Sequence, residues 1–181
     1  MTRPGADYPA ELERELTLRD GVAVRLRPIR PDDASRLQAL HSRLSFNTAY
    51  QRFFAVVRRL PPDWARVLAT VDYQRRLALV VEAPAGEVPE LIAVGRYDAL
   101  DEPDTVEVAF VVQDRWQNRG LGTLLFDAIL RAAAARSYRR FRAAVLADNR
   151  RMLDLITRFT RVESRRSEQG VTDLVFTLPA A

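Results

Sequence analysis

Val106-Glu107-Val108-Ala109-Phe110-Val111-Val112 and, four residues further on, Gln117-Asn118-Arg119-Gly120-Leu121-Gly122 are the two segments that decide the fold. The first is an apolar run rich in β-branched residues with one carboxylate in it, the composition of a strand. The second is a glycine turn. Beyond it, Leu121, Leu124, Leu125, Ala128, Ile129 and Ala132 recur at the spacing of one helical face. A glycine turn that opens a helix leaves backbone N–H groups unpaired at the positive end of the helix dipole, which favours phosphate. The unit therefore offers a diphosphate site beside a strand that carries Glu107. That pairing points to group transfer from a nucleotide-linked carrier.

Two other glycine loops are excluded. A dinucleotide fingerprint needs a third glycine three residues after Gly122, and Leu125 stands there. A nucleoside-triphosphate loop ends in Gly-Lys-Ser/Thr, and this chain has no lysine.

Towards the N-terminus, strand-like segments at 16–18 and 22–26 flank Arg19-Asp20-Gly21, a hairpin signal. Pro31-Asp32-Asp33 starts a helix with Leu37, Leu40 and Leu44 on one face. Ser45 caps a second short helix that runs through Tyr50 to Phe54, and Pro61-Pro62-Asp63 opens a third ending near Asp72. Strands follow at 77–82 and 91–97, joined by Ala83-Pro84-Ala85-Gly86. After the glycine-turn helix come a strand at 140–146, a helix at about 149–159, and strands near 161–164 and 174–178. Hairpins preceding one strand–helix–strand crossover predict an α/β (α+β) fold. Its central sheet is mixed and mostly antiparallel, of six to seven strands, with helices on both faces. Residues 1–12, with Pro4, Gly5 and Pro9, read as a flexible N-terminal arm, and residues 13–181 as a single domain.

Hydrophobic residues make up 48% of the 181 positions and charged residues 29%, ordinary values for a soluble globular chain. No apolar stretch reaches membrane-spanning length, and the first twenty residues are too charged for a secretory signal. Without cysteine there is no disulfide, thiolate nucleophile or cysteine zinc site, which is compatible with a cytoplasmic location. His41, the only histidine, has neither a G-x-S-x-G serine nor metal-ligand companions, so neither a hydrolase triad nor a metal site is expected. All 28 basic positions of the lysine-plus-arginine count are arginine, against 24 acids. Arg58-Arg59, Arg75-Arg76, Arg139-Arg140 and Arg165-Arg166 are scattered among those acids rather than gathered in one stripe. Nucleic-acid binding is therefore not expected. Lacking lysine, the chain also has no lysine side chain of its own to acylate.

The strand, the Q-x-x-G-x-G turn, its helix and the later Asn149-x-x-Met152-x-x-Leu155 together resemble the acyl-CoA-binding core of the GNAT superfamily of N-acetyltransferases. A narrower resemblance lies in Leu18-Arg19-Asp20-Gly21, Arg27-Pro28-Ile29-Arg30-Pro31-Asp32-Asp33, Arg52-Phe53-Phe54 and Asp72-Tyr73. Those segments are similar to the acetyltransferase domain of bacterial protein lysine acetyltransferases.

That resemblance implies acetyl-CoA as co-substrate and no metal. It assigns the coenzyme pyrophosphate to backbone N–H groups of Gln117, Asn118, Arg119, Gly120, Leu121, Gly122 and Thr123. The backbone of Phe110, Val111 and Val112 would bond the pantetheine arm as though it were an added strand. Asn149 would contact the carrier near its thiol end; taken alone, the residue reads equally as a helix N-cap after Asp148. Glu107 matches the glutamate that such enzymes use as general base. An amine attacks a thioester only as the free base, and lysine has a pKa of about 10.4. A carboxylate that removes its proton contributes roughly 10²–10⁴ in rate. The strand pattern by itself also allows Glu107 as a solvent-facing residue between Val106 and Val108.

Two positions depart from the family pattern. The tyrosine that many members place seven residues after the helix asparagine is Ile156 here, and the usual Gly-Phe closing that helix is Thr160-Arg161. Without cysteine for an acyl-enzyme, direct attack in a ternary complex is expected. The expected acceptor is a protein lysine ε-amine. The alternatives are a small amine, held in an acidic pocket with Asp101, Glu102 and Asp104 as contributors, and a non-catalytic acyl-CoA-binding module. Tyr50-Gln51-Arg52-Phe53-Phe54 reads as an acceptor-pocket lining or, from its helical spacing and preferentially, as core. Oligomeric state has no signature in the sequence.

Overall fold

The computed structural model describes residues 7–179. Its strands are β1 (Arg14–Thr17), β2 (Ala23–Pro28), β3 (Arg76–Ala83), β4 (Glu90–Ala99), β5 (Thr105–Val112), β6 (Arg140–Leu146), β7 (Arg161–Glu168) and β8 (Val171–Thr177). Its helices are α1 (Ala34–Ser42), α2 (Phe46–Phe53), α3 (Pro62–Ala69), α4 (Leu121–Ala134) and α5 (Arg150–Phe159). The strands form one mixed sheet in the order β1-β2-β3-β4-β5-β6-β8-β7. Eight strands rather than six to seven is the one correction to the predicted architecture. The weakest patterns belong to the two edges: β1 has four residues, and β7 reads Arg-Val-Glu-Ser-Arg-Arg-Ser-Glu and is exposed along most of its length. Charged, half-solvated edge strands lack the apolar alternation that marks a central strand.

Every pairing is antiparallel except β5 with β6. That parallel ladder is short, covering Thr105↔Arg140, Val106↔Phe141 and Glu107↔Arg142. Past Glu107 the two strands part. β5 continues to Val112 bonded only to β4, and β6 continues to Leu146 bonded only to β8. The sheet is thus split by a wedge whose two sides are free backbone edges.

Side-chain alternation sorts the helices. Val106, Val108, Phe110 and Val112 of β5 join the larger core with Leu121, Leu125, Phe126 and Ile129 of α4 and with Leu153 and Ile156 of α5. Val111 points the other way, into a smaller core with residues of α1 and α3. Helices therefore cover both faces, as expected. Gly95 of β4 is where α4 presses closest. A β-carbon there would stand 2.8 Å from Leu125 Cγ, 2.9 Å from Phe110 Cδ1 and 3.0 Å from Ile129 Cγ1.

A buried ion cluster ties the first helical layer to the sheet. The Arg27 fork donates to both carboxylate oxygens of Asp33, at 2.8 Å each, and to Glu82 at 3.1 Å. Arg36 reaches the same two acids. Burial alone would raise both carboxyls, but the hydrogen bonds and charge of Arg27 and Arg36 hold Asp33 and Glu82 below the usual carboxylate range. Of the arm expected over residues 1–12, residues 1–6 lie outside the described residues. The remainder is anchored: Tyr8 Oη donates to Glu13 at 2.7 Å, its ring meets Tyr73 edge-on, and the Arg30 guanidinium lies over it.

Candidate active site

The wedge between β5 and β6 opens into a cleft of about 830 Å³. Its walls are Glu107 to Val112 on one strand edge and Ala143, Ala144 and Val145 on the other. The glycine turn and the start of α4 close one end, and Asn149, Met152 and Leu155 of α5 flank it. The sequence-predicted residues Glu107, Phe110, Val111, Val112, Gln117, Asn118, Gly120, Gly122, Thr123 and Asn149 all line this space.

The turn has the conformation that its glycine requires. Asn118 and Gly120 both have left-handed φ, +63° and +83°. No protein acceptor among the described residues meets the N–H groups of Asn118, Arg119 or Gly120. The first-turn N–H groups of Leu121, Gly122 and Thr123 have no intrahelical partner by construction. Gln117 differs from the expectation that its N–H joins this set, because that group already donates to Asp114 O at 3.2 Å. Its side chain braces the site instead: Nε2 donates to Val112 O at 3.0 Å, and Oε1 accepts from Arg151 at 3.0 Å. Leu121 and Arg119 do not face the cleft with their side chains. Leu121 is buried in the core, and Arg119 pairs with Asp20 at 2.6 Å while lying over Trp116.

Glu107 is exposed and has no ion-pair partner among the described residues. It sits at the last rung of the parallel ladder, beside Asp98 on β4 and Arg142 on β6. Both neighbours are engaged elsewhere, Asp98 by Arg76 and Arg96, and Arg142 by Glu102. Among the described residues Glu107 is the only carboxylate lining the cleft. Asp101, Glu102 and Asp104, predicted as contributors to an acidic acceptor pocket, lie on an exposed turn and line no part of it. Asn149 caps α5, its Oδ1 accepting from Met152 N at 3.3 Å, and also borders the cleft, so its two readings coexist. Ile156 is fully buried. Thr160 ends α5 by an Oγ1 bond to Ile156 O at 2.7 Å and leads straight into β7 with extended φ, in place of a glycine exit.

Residues 50–54, read preferentially as core, divide in the structure: Phe53 packs against His41 and the smaller core, while Tyr50 and Phe54 are exposed. Gln51, Arg52, Phe53 and Phe54 line the same cleft as Glu107. Asp114, just past β5, accepts from Ser45 N at 2.8 Å, Ser45 Oγ at 2.6 Å and Thr48 Oγ1 at 2.7 Å. Burial works against the Asp114 anion, but these donors hold it below the usual carboxylate range. They pin the start of α2 over the far end of β5. Arg19, from the β1–β2 hairpin, is a second residue missed by sequence reasoning. It borders the cleft, with Nε 3.3 Å from where a β-carbon of Gly120 would lie. Neither long-range contact leaves a local pattern; only the Ser45 cap was visible. His41 lies apart, buried against Phe53 with both ring nitrogens unpartnered among the described residues, and burial pushes its pKa down.

Among the described residues no helix is long and apolar enough to cross a membrane, and no group of three or more His, Asp or Glu side chains could hold a metal. The model of the acetyltransferase (GNAT) family matches residues 36–160. An acetyltransferase of Pseudomonas aeruginosa is 31% identical over 140 residues, spanning 77% of this chain and 75% of that protein. Acetyltransferase Pat of Mycolicibacterium smegmatis is 33% identical over 146 residues, 80% of this chain but 43% of that longer relative. The crystal structure of the GNAT domain of PAT from S. lividans superposes with a TM-score of 0.84 at 37% identity, covering 94% of this chain and 99% of that domain.

Proposed function

The chain belongs to the acetyltransferase (GNAT) family, and from that premise we propose that it moves the acetyl group of acetyl-CoA onto a protein lysine ε-amine in a ternary complex. One observation carries the reading. The only carboxylate lining the cleft among the described residues stands where β5 leaves β6, and the free strand edge runs from it towards a cradle of N–H donors that no backbone carbonyl of the described residues meets. The residues present fit the carrier. The N–H groups of residues 118–123 would take the pyrophosphate, and the β5 edge at 110–112 the amide-bearing arm. The thioester then lies within the wedge, near Glu107.

Glu107 accepts the proton of the attacking amine, directly or through one water. The nitrogen lone pair forms the new C–N bond, and a β5 amide facing the wedge supports the oxyanion. Collapse breaks the C–S bond and releases the coenzyme thiolate. No tyrosine or cysteine lines the cleft among the described residues, which supports direct attack and a thiolate that leaves without a dedicated acid. Residues 13–181 act in this reading as one catalytic domain in the cytoplasm.

The lysine acceptor is supported by the Pat-like relatives and by the absence of Asp101, Glu102 and Asp104 from the cleft, which removes the acidic pocket expected for a small polyamine. The test is thiol release from acetyl-CoA with a panel of lysine-bearing proteins, aminoglycosides, polyamines and amino acids. Turnover is expected with protein lysines. Release only with the small amines overturns the acceptor. Binding of acetyl-CoA with no release on any amine overturns catalysis.

A further inference from the structure

Resting on the acetyl-transfer reading above, we propose that Arg52 selects the acceptor, its guanidinium receiving a carboxylate carried beside the reacting amine. The position comes from the way α2 crosses the cleft. Thr48 lies at the cradle end, where Gln117 Nε2 approaches its Oγ1 at 3.4 Å. Arg52 follows one turn later, about 6 Å along the axis, towards Glu107. Both line the same space.

Among the described residues Arg52 has no counter-ion of its own. It is half-buried, and no hydrogen bond or ion pair to it exists among the described residues; its guanidinium rests over the Phe53 ring at 5.0 Å. Asp98 is already held by Arg76 at 2.9 Å and by Arg96 at 3.2 Å. Arg96 is itself buried, with one terminal nitrogen unpaired among the described residues. Burial and the Arg96 charge push the Arg52 guanidinium down to about 10, in spite of Asp98 and Glu107. It is therefore still a cation at neutral pH, held in a partly desolvated place with no carboxylate of the described residues paired to it. An unpaired, partly buried charge is costly unless something arrives to pair with it. The planar fork suits a carboxylate with two parallel hydrogen bonds. The acceptor end then presents one anion for the amine, Glu107, and one cation for a carboxylate, Arg52. An acceptor that carries both groups satisfies both. The carboxylate has two sources, an acidic side chain next to a target lysine or the α-carboxylate of a free amino acid.

Two matched pairs test this: lysine peptides with Glu or Gln beside the lysine, and free lysine against lysinamide. Binding to the CoA-saturated protein is measured by calorimetry, and kcat/KM by thiol release. The wild type is expected to favour the acidic member of at least one pair by roughly ten- to hundredfold, the scale of charge-assisted hydrogen bonds. The pair that discriminates identifies the source. Arg52→Gln should abolish the preference without lowering the melting midpoint, since it removes an unpaired charge, and Arg52→Lys should retain part of it. Equal binding of both members of both pairs overturns the proposal, as does a preference that survives in Arg52→Gln. Discrimination in binding without thiol release keeps Arg52 and refutes transfer. Thiol release indifferent to the carboxylate does the reverse.

Discussion

Gly122→Ala separates the cradle from the fold, because its two effects have opposite signs. Gly122 is the second residue of α4, its φ is outside the left-handed region, and a β-carbon added there meets nothing within 4 Å. Alanine therefore brings neither clash nor backbone strain. Its better helix propensity is worth up to about 1 kcal/mol, and less in a first turn. For a domain of this size that is a rise of about 2–4 °C in Tm at most. The same empty space is what a phosphate oxygen must enter to approach the N–H groups of residues 121–123 within about 3 Å. A methyl group needs about 3.5–4.0 Å of clearance and keeps the oxygen out. Losing one charge-assisted hydrogen bond of about 1.5–3 kcal/mol weakens acetyl-CoA binding roughly 10- to 150-fold. Thermal unfolding without ligand and calorimetry with acetyl-CoA read the two effects separately. Gly120 is a poorer probe: with φ at +83° and Arg19 Nε 3.3 Å from its added β-carbon, substitution there mixes strain with occlusion. A Gly122→Ala protein that binds acetyl-CoA as tightly as the wild type refutes the cradle.

Glu107→Gln should leave acetyl-CoA affinity near normal while lowering kcat/KM on lysine by roughly 10²–10⁴ at neutral pH. The loss should narrow as pH approaches the lysine pKa of about 10.4, and full activity at neutral pH removes Glu107 as the base. Gly95→Ala forces a methyl group into Leu125, Phe110 and Ile129, an overpacking that costs about 1–3 kcal/mol; an unchanged urea midpoint would contradict the close approach of α4. Asp33 and Glu82 have folded pKa values below their unfolded ones, so the unfolded chain binds more protons as pH falls. Their stabilisation is complete above about pH 4.3 and drains on acidification towards the depressed folded values. Urea midpoints should fall steeply below about pH 4, and more gently when Arg27→Met has already broken the cluster.

The parts of this fold legible in the sequence are those whose signal is local. The helical period from Leu121, the proline turn at 31–33 that leads into α1, the proline opening of α3 and the alternation along β5 each fix their own element within a dozen residues. β1 and β7 were underread for the converse reason. Their pairing partners supply the order, while their own residues are charged and solvated. Tyr8 likewise looks like part of a loose arm until Glu13, Arg30 and Tyr73 come together around it, contacts that span as many as 65 residues.

Residues 50–54 are harder to read, because a helical period reports burial but not what does the burying. Residues 50–54 carry aromatics at helical spacing, and Phe53 does pack inward on His41. But Asp114 clamps Ser45 and Thr48 across 66 to 69 residues of sequence, and that clamp turns the end of α2 over the wedge instead of into a closed interior. No window along the chain contains both halves of the clamp. The cradle is different in kind, since strand, turn and helix are consecutive, and one stretch of sequence specifies all the donors it needs. The proposed carrier site, built from contiguous backbone, is therefore readable from a single sequence. A cleft wall assembled from α2, β4 and β5 is not, because Arg52 comes near Arg96, Asp98 and Glu107 only in the folded chain.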